Sequence, residues 1–341
     1  MSHPASLAPE DWLRVTDGGL YCVPGDFYVD PPGPVDRAVI THGHADHARP
    51  GHNNVLATPE TLAIMRHRIG PERMGAGQAL AYGKPLDIGG VTLRLAPAGH
   101  VLGSAQAVLE HAGQRIVVSG DYKRRADPTC APFEVVTCDV FITEATFGLP
   151  VFRHPDAAEE IGKVLRALAR DPDGCVLVGV YALGKAQRVI RLLREAGHDA
   201  PLYIHGALEG LCGLYEQHGV ALGELRPATG ADTDDMRGHI VLAPPSAGRD
   251  RWARRLPDPV IAMASGWMGV RARARQRGAE LPLVISDHAD WDELVRTIDD
   301  VAAGEIWVTH GREDALIHHC RTRGIRARAL SLVGREEEEG E

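Results

Sequence analysis

The chain has 341 residues, enough for about two domains with filled cores. Its 44% hydrophobic and 24% charged composition is ordinary for a soluble globular protein. No apolar run approaches the roughly 18 residues of a membrane span, and the first twelve residues lack an apolar centre, so neither a membrane anchor nor a secretory signal is expected.

The net charge of −9 argues against a uniformly basic nucleic-acid binder, but it is unevenly spread. Five acids at 336–339 and 341 form an expected solvated tail, 334–341, and removing them takes the charge from −9 to −4. Between Arg249 and Arg277 eight arginines face only Asp250 and Asp258. Local basicity of that kind can guide a polyanion whatever the total charge, although a solvated arginine-rich helix has the same composition. The six cysteines are scattered and form no Cys-x-x-Cys pair, which suits a reduced, cytoplasmic protein.

In chain order, 18–22 and 26–30 read as a hairpin turned at Pro24-Gly25. Ala38-Val39-Ile40 reads as a buried strand and runs into Thr41-His42-Gly43-His44-Ala45-Asp46-His47. Thr58-Pro59-Glu60 opens a helix, with Thr58 as cap and Pro59 in its first turn. Strands are then expected at 91–95, leading to His100, at 115–119, leading to Asp121, and at 140–143, leading to Glu144. Late in the chain, 281–285 leads to His288 and 306–309 to His310. Six strand-like runs thus end in a residue that can bind metal or move a proton, and they would converge on one rim if the strands share sheets. Between Glu144 and His288 strands alternate with helices at 156–169, 186–196 and 208–218, which implies a second, inserted α/β unit with a parallel sheet.

The histidine-rich loop places three imidazoles and a carboxylate within six residues, with Gly43 and Ala45 small enough for a tight turn. Imidazole and carboxylate are the ligands that zinc and manganese take. The loop resembles the His-x-His-x-Asp-His motif of the metallo-β-lactamase superfamily. Further along, Glu144-Ala145-Thr146-Phe147-Gly148, Ser286-Asp287-His288-Ala289-Asp290 and Val308-Thr309-His310-Gly311 resemble motifs A, B and C of its β-CASP nucleases. The segments 179–187 and 264–268 resemble those that open and close the β-CASP cap. Pro97-Ala98-Gly99-His100-Val101-Leu102-Gly103-Ser104 and the compact length are most similar to the bacterial exonucleases associated with a DNA ligase.

The resemblance implies an α/β protein: a metallo-β-lactamase αββα sandwich at 1–155 and 271–333, with an inserted β-CASP α/β cap domain at 156–270. It implies two divalent metal ions, zinc or manganese. His42, His44, His100 and Asp121 would hold one; Asp46, His47, Asp121 and His310 would hold the other, with Asp121 shared. Asp30 would orient the ligand loop. Paired cations of this kind neutralise the charge that builds on a phosphodiester in the transition state. His288 would be the general acid for the leaving oxygen, oriented by Glu144. Ser265, Gly266, Arg271, Arg273 and Lys185 are candidate contacts to the phosphates of the substrate. The expected activity is hydrolysis of nucleic acid by a DNA exonuclease in repair or end processing, acting on single-stranded or end-bearing DNA and working with a DNA ligase. RNA-processing β-CASP proteins carry the motif C histidine whereas the DNA-processing branch usually lacks it, so His310 keeps a ribonuclease as the alternative. A small-molecule metallohydrolase is disfavoured by the inserted domain and the arginines.

Overall fold

A computed structural model of the protein describes residues 7–331, and the acidic tail expected at 334–341 lies outside them. The chain divides into two compact units. The first comprises residues up to Ala126, Cys130–Phe152 and the chain from His288 onward. The second comprises Asp127–Thr129 and Arg153–Asp287.

The first unit holds two sheets. One has six strands in sequence order, from Leu13–Thr16 and Gly19–Cys22 through Phe27–Val29, Arg37–Val39 and Asn54–Ala57 to Ala76–Ala79. The expected hairpin is there, with Gly19–Cys22 antiparallel to Phe27–Val29. The other sheet has seven strands in the order Arg326–Ala329, Glu305–Gly311, Val140–Ala145, Gln114–Val118, Ala105–His111, Val91–Pro97, Pro85–Ile88.

Strand alternation builds the layers. In the seven-stranded sheet Leu109, Ile116, Val118, Val140 and Ile142 point one way, into a core shared with Leu20, Val29, Val39 and Leu56 of the six-stranded sheet. Their neighbours Val108, Val117 and Phe141 point the other way, onto Leu294 and Ile298 of helix Trp291–Val301 and Leu316 and Cys320 of helix Glu313–Thr322. The outer face of the six-stranded sheet (Ala38, Val55, Ala57) packs on Leu62 and Met65 of helix Pro59–Ile69. Both faces of each sheet are thus apolar, as sheets covered on both sides must be, and the layers run α, β, β, α. Thr58 caps its helix as expected, its hydroxyl accepting from Thr61 N at 3.1 Å.

The second unit is a six-stranded, wholly parallel sheet in the order Leu225–Pro227, Leu202–Ile204, Ile240–Ala243, Cys175–Gly179, Pro259–Ala264, Leu281–Leu283. Helix Ala157–Arg170 leads into its first strand, and helices Lys185–Glu195 and Gly206–Gln217 are crossovers between its strands. One strand expected in the metal-bearing unit lies here instead: Leu281–Leu283 pairs in parallel with Ala262–Ala264, and 271–287 group with the second unit. A three-residue strand carries too little pattern to say which sheet it joins; the free edge of Pro259–Ala264 decides it.

Candidate metal centre

The ligand loop is set by three hydrogen bonds to one buried carboxylate. Strand Phe27–Val29 ends at Asp30, whose φ of 44° turns its side chain beneath the loop. Asp30 Oδ1 accepts from Thr41 N at 2.7 Å, and Oδ2 accepts from the Thr41 hydroxyl at 2.6 Å and lies 2.7 Å from His47 Nδ1. A carboxylate can only accept, so His47 Nδ1 carries a proton, and a cation that displaces any proton on Nε2 would meet a lone pair there. The carbonyl of Thr41 accepts from Ala105 N of the other sheet at 2.8 Å. Arg68 donates to the carbonyl of Gly43, tying the middle of the loop to helix Pro59–Ile69.

Each remaining donor arrives on a short excursion after a strand. His100 follows Val91–Pro97, where Ser104 Oγ accepts from the amides of His100 (3.1 Å) and Val101 (3.2 Å). Gly99 has φ 75°, and a Cβ there would stand 2.4 Å from the Lys123 carbonyl oxygen. Asp121 follows Gln114–Val118 through Gly120, φ 57°, where a Cβ would stand 2.7 Å from Thr41 Oγ1. Both turns need glycine, the first to pass the Lys123 backbone and the second to pass Thr41 of the ligand loop.

Ligand atoms of His42, His44, His100 and Asp121 all lie within 4.8 Å of one another, and so do those of His42, Asp46 and His47. Asp121 lies at the meeting point of the two groups: Oδ2 is 3.5 Å from His42 Nε2 and 3.8 Å from His100 Nε2, while Oδ1 is 3.5 Å from His47 Nε2. His100 Nε2 faces His44 Nδ1 at 2.9 Å.

Charge explains how so polar a knot stays buried. Burial pulls the His42 imidazole well below its usual range, with His47 adding to the effect, so it is neutral and able to donate a lone pair. Burial alone would raise the Asp46 and Asp121 carboxyls, but His47 beside both more than offsets this and holds them low and ionised. Neutral imidazoles and ionised carboxylates are the protonation states that bind divalent metals.

The fit to a cation can be tested on orphaned atoms. His42 Nε2 and Asp46 Oδ1 are buried with no hydrogen-bond partner among the described residues. Unmet buried donors and acceptors of this kind are costly unless something else binds them. The nitrogen and oxygen donor set suits zinc or manganese.

A third group joins this centre: Asp121, Glu144 and His288 have ligand-type atoms within 4.8 Å of one another. His288 Nδ1 lies 3.0 Å from Glu144 Oε2 and 4.0 Å from Asp121 Oδ2. Glu144 also accepts from Tyr122 N at 2.8 Å and from the Thr146 hydroxyl. The His288 ring centroid stands 4.7 Å from that of His100.

His310 is placed differently. Strand Glu305–Gly311 pairs with Val140–Ala145 through a shift between Thr143 and Ala145, which leaves one extra residue on the His310 side. His310 sits on this bulge with φ 62°, beside Glu144 in the ladder, and its Nδ1 is buried without a hydrogen-bond partner among the described residues. It does not fall in any of the three groups.

The expected phosphate contacts are dispersed in the second unit. Lys185 is not exposed: it is 4% accessible, its Nζ lies 2.8 Å from Asp287 Oδ2 and donates to the Ile285 carbonyl at 2.8 Å. Burial beside a carboxylate makes it a structural ion rather than a surface cation. Ser265 Oγ accepts from Trp267 N at 3.3 Å and caps the short turn Gly266–Gly269, in which Gly266 is buried. Arg273 stacks over Trp267 with 4.0 Å to the ring centroid, and Arg271 is exposed. His205, which follows strand Leu202–Ile204, caps helix Gly206–Gln217 by accepting from Ala207 N at 3.2 Å.

Two residues that shape the centre were not singled out from sequence. The Thr41 hydroxyl, beside the first ligand, could have been suspected from its position. Ser104 lay in the family-like stretch Pro97 to Ser104, but nothing in the sequence gave its hydroxyl a role.

Residues 17–180 match the metallo-beta-lactamase superfamily. The chain is 30% identical over 318 residues to a probable DNA ligase of Opitutus terrae, covering 92% of this chain and 30% of that protein. It is 29% identical over 212 residues to ribonuclease TTHA0252 of Thermus thermophilus, covering 52% of this chain and 48% of the relative. The chain therefore spans about a third to a half of the length of these curated relatives. A crystal structure of a protein of unknown function from Enterococcus faecalis shares the fold, with TM-score 0.51 at 11% identity over 80% of this chain and 74% of that one. The chain thus carries a metallo-beta-lactamase domain, and its likeness to relatives named as nucleases fits the β-CASP branch.

Proposed function

We propose that the protein is a two-metal phosphodiesterase acting on nucleic acid, and specifically a DNA exonuclease in repair or end processing that works alongside a DNA ligase. The observation that carries the reading is the Glu144–His288 pair beside Asp121, at the edge of a cluster of imidazoles and carboxylates. A metallohydrolase needs the cluster; cleavage of an alkyl phosphodiester also needs a proton for the leaving oxygen. The similarity to a protein named as a DNA ligase supports the DNA assignment and the partnership.

On this reading His42, His44, His100 and Asp121 hold one divalent ion, zinc or manganese. Asp46 and His47, with Asp121 shared, hold a second, and His310 is a further candidate for that site. Bound there, the pair supplies Lewis-acid activation and neutralises charge developing on the phosphoryl group. The protein's own groups do the rest. Asp30 fixes the tautomer of His47 so that Nε2 faces inward. Glu144 holds His288 through Nδ1, which leaves the Nε2 edge to donate to the leaving oxygen. Arg271 and Arg273 meet the phosphate backbone without reading bases. The second unit serves as the β-CASP cap, and the chain is cytoplasmic.

A ribonuclease of the same branch is the second reading. It is favoured by His310 and by the likeness to a protein named as a ribonuclease. The test offers end-labelled single-stranded DNA, duplex DNA and RNA of one sequence, with zinc or manganese. Single-nucleotide ladders from DNA ends, with RNA cut at least about tenfold more slowly, are expected. Preferential cleavage of the RNA would replace the DNA reading with the ribonuclease one. No cleavage of any of the three by metal-loaded protein would overturn both.

A further inference from the structure

The proposed general acid lies on a loop with no regular structure of its own, between residue 287 and helix Trp291–Val301. Proton donation is sensitive to placement, because about 1 Å of displacement can cost on the order of a hundredfold. Something must therefore hold residues 288–290 against the metal loops, and the first unit contains a closed ring of bonds that does so.

The ring passes through the backbone of Tyr122, the residue after Asp121. Tyr122 N donates to Glu144 Oε1 at 2.8 Å, and Glu144 holds His288 Nδ1 at 3.0 Å. The Tyr122 carbonyl in turn accepts from Ala289 N, next to His288, at 2.6 Å. The N–H and C=O of one residue thus fix His288 relative to Asp121 from two sides. Two backbone bonds alone would leave the segment free to pivot about them.

The outer edge is closed by charge. Arg125, four residues beyond Asp121, is paired through its guanidinium with the Asp290 carboxylate, two residues beyond His288. Its Nε also lies 3.4 Å from Glu293 Oε1. Asp290 is almost fully buried, with 2% of its side chain accessible, so its charge needs this partner. The same carboxylate accepts from Glu293 N at 3.0 Å and caps helix Trp291–Val301, while Glu293 Oε2 accepts from Asp290 N at 3.3 Å. Asp290 is therefore pinned to the helix on one side and to the Asp121 loop on the other.

We infer that Arg125 and Asp290 are positioning residues for His288, setting where its imidazole stands relative to Asp121. The inference rests on the reading of His288 as the proton donor. Neither residue belongs to the three ligand groups, so replacing them should disturb proton delivery and leave the metals in place.

The experiment compares two substrates on metal-loaded protein. One is a DNA phosphodiester, whose alkoxide leaving group needs a proton. The other is a nitrophenyl ester of thymidine phosphate, whose leaving group departs without one. His288→Ala is the reference for a lost donor: a large fall on DNA and a small one on the nitrophenyl ester. Arg125→Met is expected to lower kcat on DNA by about 10- to 100-fold with little change in KM, while the nitrophenyl rate falls less than about threefold and metal content is unchanged. Asp290→Asn keeps a good helix cap, removes the charge, and should repeat that pattern even if Arg125→Met is poorly folded. The double variant should be no worse than the poorer single one, because both break one contact.

Equal losses on both substrates in Arg125→Met and Asp290→Asn would overturn the inference, since general distortion or metal loss affects both. Unchanged DNA cleavage in both variants would overturn it as well. If His288→Ala itself shows no leaving-group dependence, the proton-donor reading fails first and the inference falls with it.

Discussion

Replacing Asp30 with asparagine isolates the effect of a single proton on the metal centre. The change is nearly isosteric, and asparagine tolerates the left-handed φ of 44°, so the backbone has no reason to move. The amide oxygen can keep the bond from Thr41 N, now made at 2.7 Å. The amide nitrogen replaces the oxygen that receives the Thr41 hydroxyl at 2.6 Å and faces His47 Nδ1 at 2.7 Å. Nitrogen can only donate, so His47 must switch tautomer, with Nδ1 accepting and the proton moving to Nε2. That proton then points at Asp46 Oδ2 (3.3 Å) and Asp121 Oδ1 (3.5 Å), where it blocks the lone pair.

Loss of such an outer partner costs about 10- to 100-fold in metal affinity, or about 1.4–2.8 kcal/mol. The metal-free protein loses two bonds to a charged acceptor, each worth about 1.5–3 kcal/mol, and regains part through the amide. A net destabilisation of about 2 kcal/mol is therefore expected. Asp30→Ala, which leaves three buried donors unmet, should cost about twice that. Competition with a graded chelator, read by metal analysis after dialysis, measures the first effect; urea unfolding of stripped protein measures the second. Asp30→Asn protein that holds metal as tightly as the native chain would refute the tautomer argument.

Two further outcomes follow from the geometry. Replacing Arg271 and Arg273 with alanine should weaken binding to single-stranded DNA and flatten the dependence of log K on log salt by about 1–2 units, measured by fluorescence anisotropy; an unaltered slope would return these residues to a solvated helix. His52 is buried, its Nδ1 accepts from Val35 N at 3.3 Å, and burial lowers it below the usual 6.5 despite the opposing pull of Asp30. As pH falls below about 6.5 the unfolded chain takes up this proton before the folded one does, so stability falls toward the lowered folded value. In chelator-treated protein, His52→Gln should lose less stability than the native chain between about pH 7.5 and about pH 5.5 by urea midpoint; equal losses would show that His52 is not among the groups responsible.

Donor chemistry and layering were already written in the order of the residues. Three histidines and an aspartate in six residues fix a donor set for metal wherever the loop lies, because ligand type is a property of side chains. Alternation along 114–118 and 140–142 fixes two buried faces for each strand, because successive side chains must point to opposite sides. Position in space was decided elsewhere. Leu281–Leu283 has the same apolar character as the strands that lead to His100, Asp121 and Glu144, yet the open edge of Pro259–Ala264 draws it into the other sheet. Lys185 looks in sequence like a helix-end cation for phosphate, but Asp287, a hundred residues later, neutralises it in the interior. His310 matches a ligand by its motif, and a single extra residue in one ladder, invisible without its pairing partner, sets where it points. Residue type is local information; pairing, burial and the identity of a counter-charge depend on chain segments that meet only on folding.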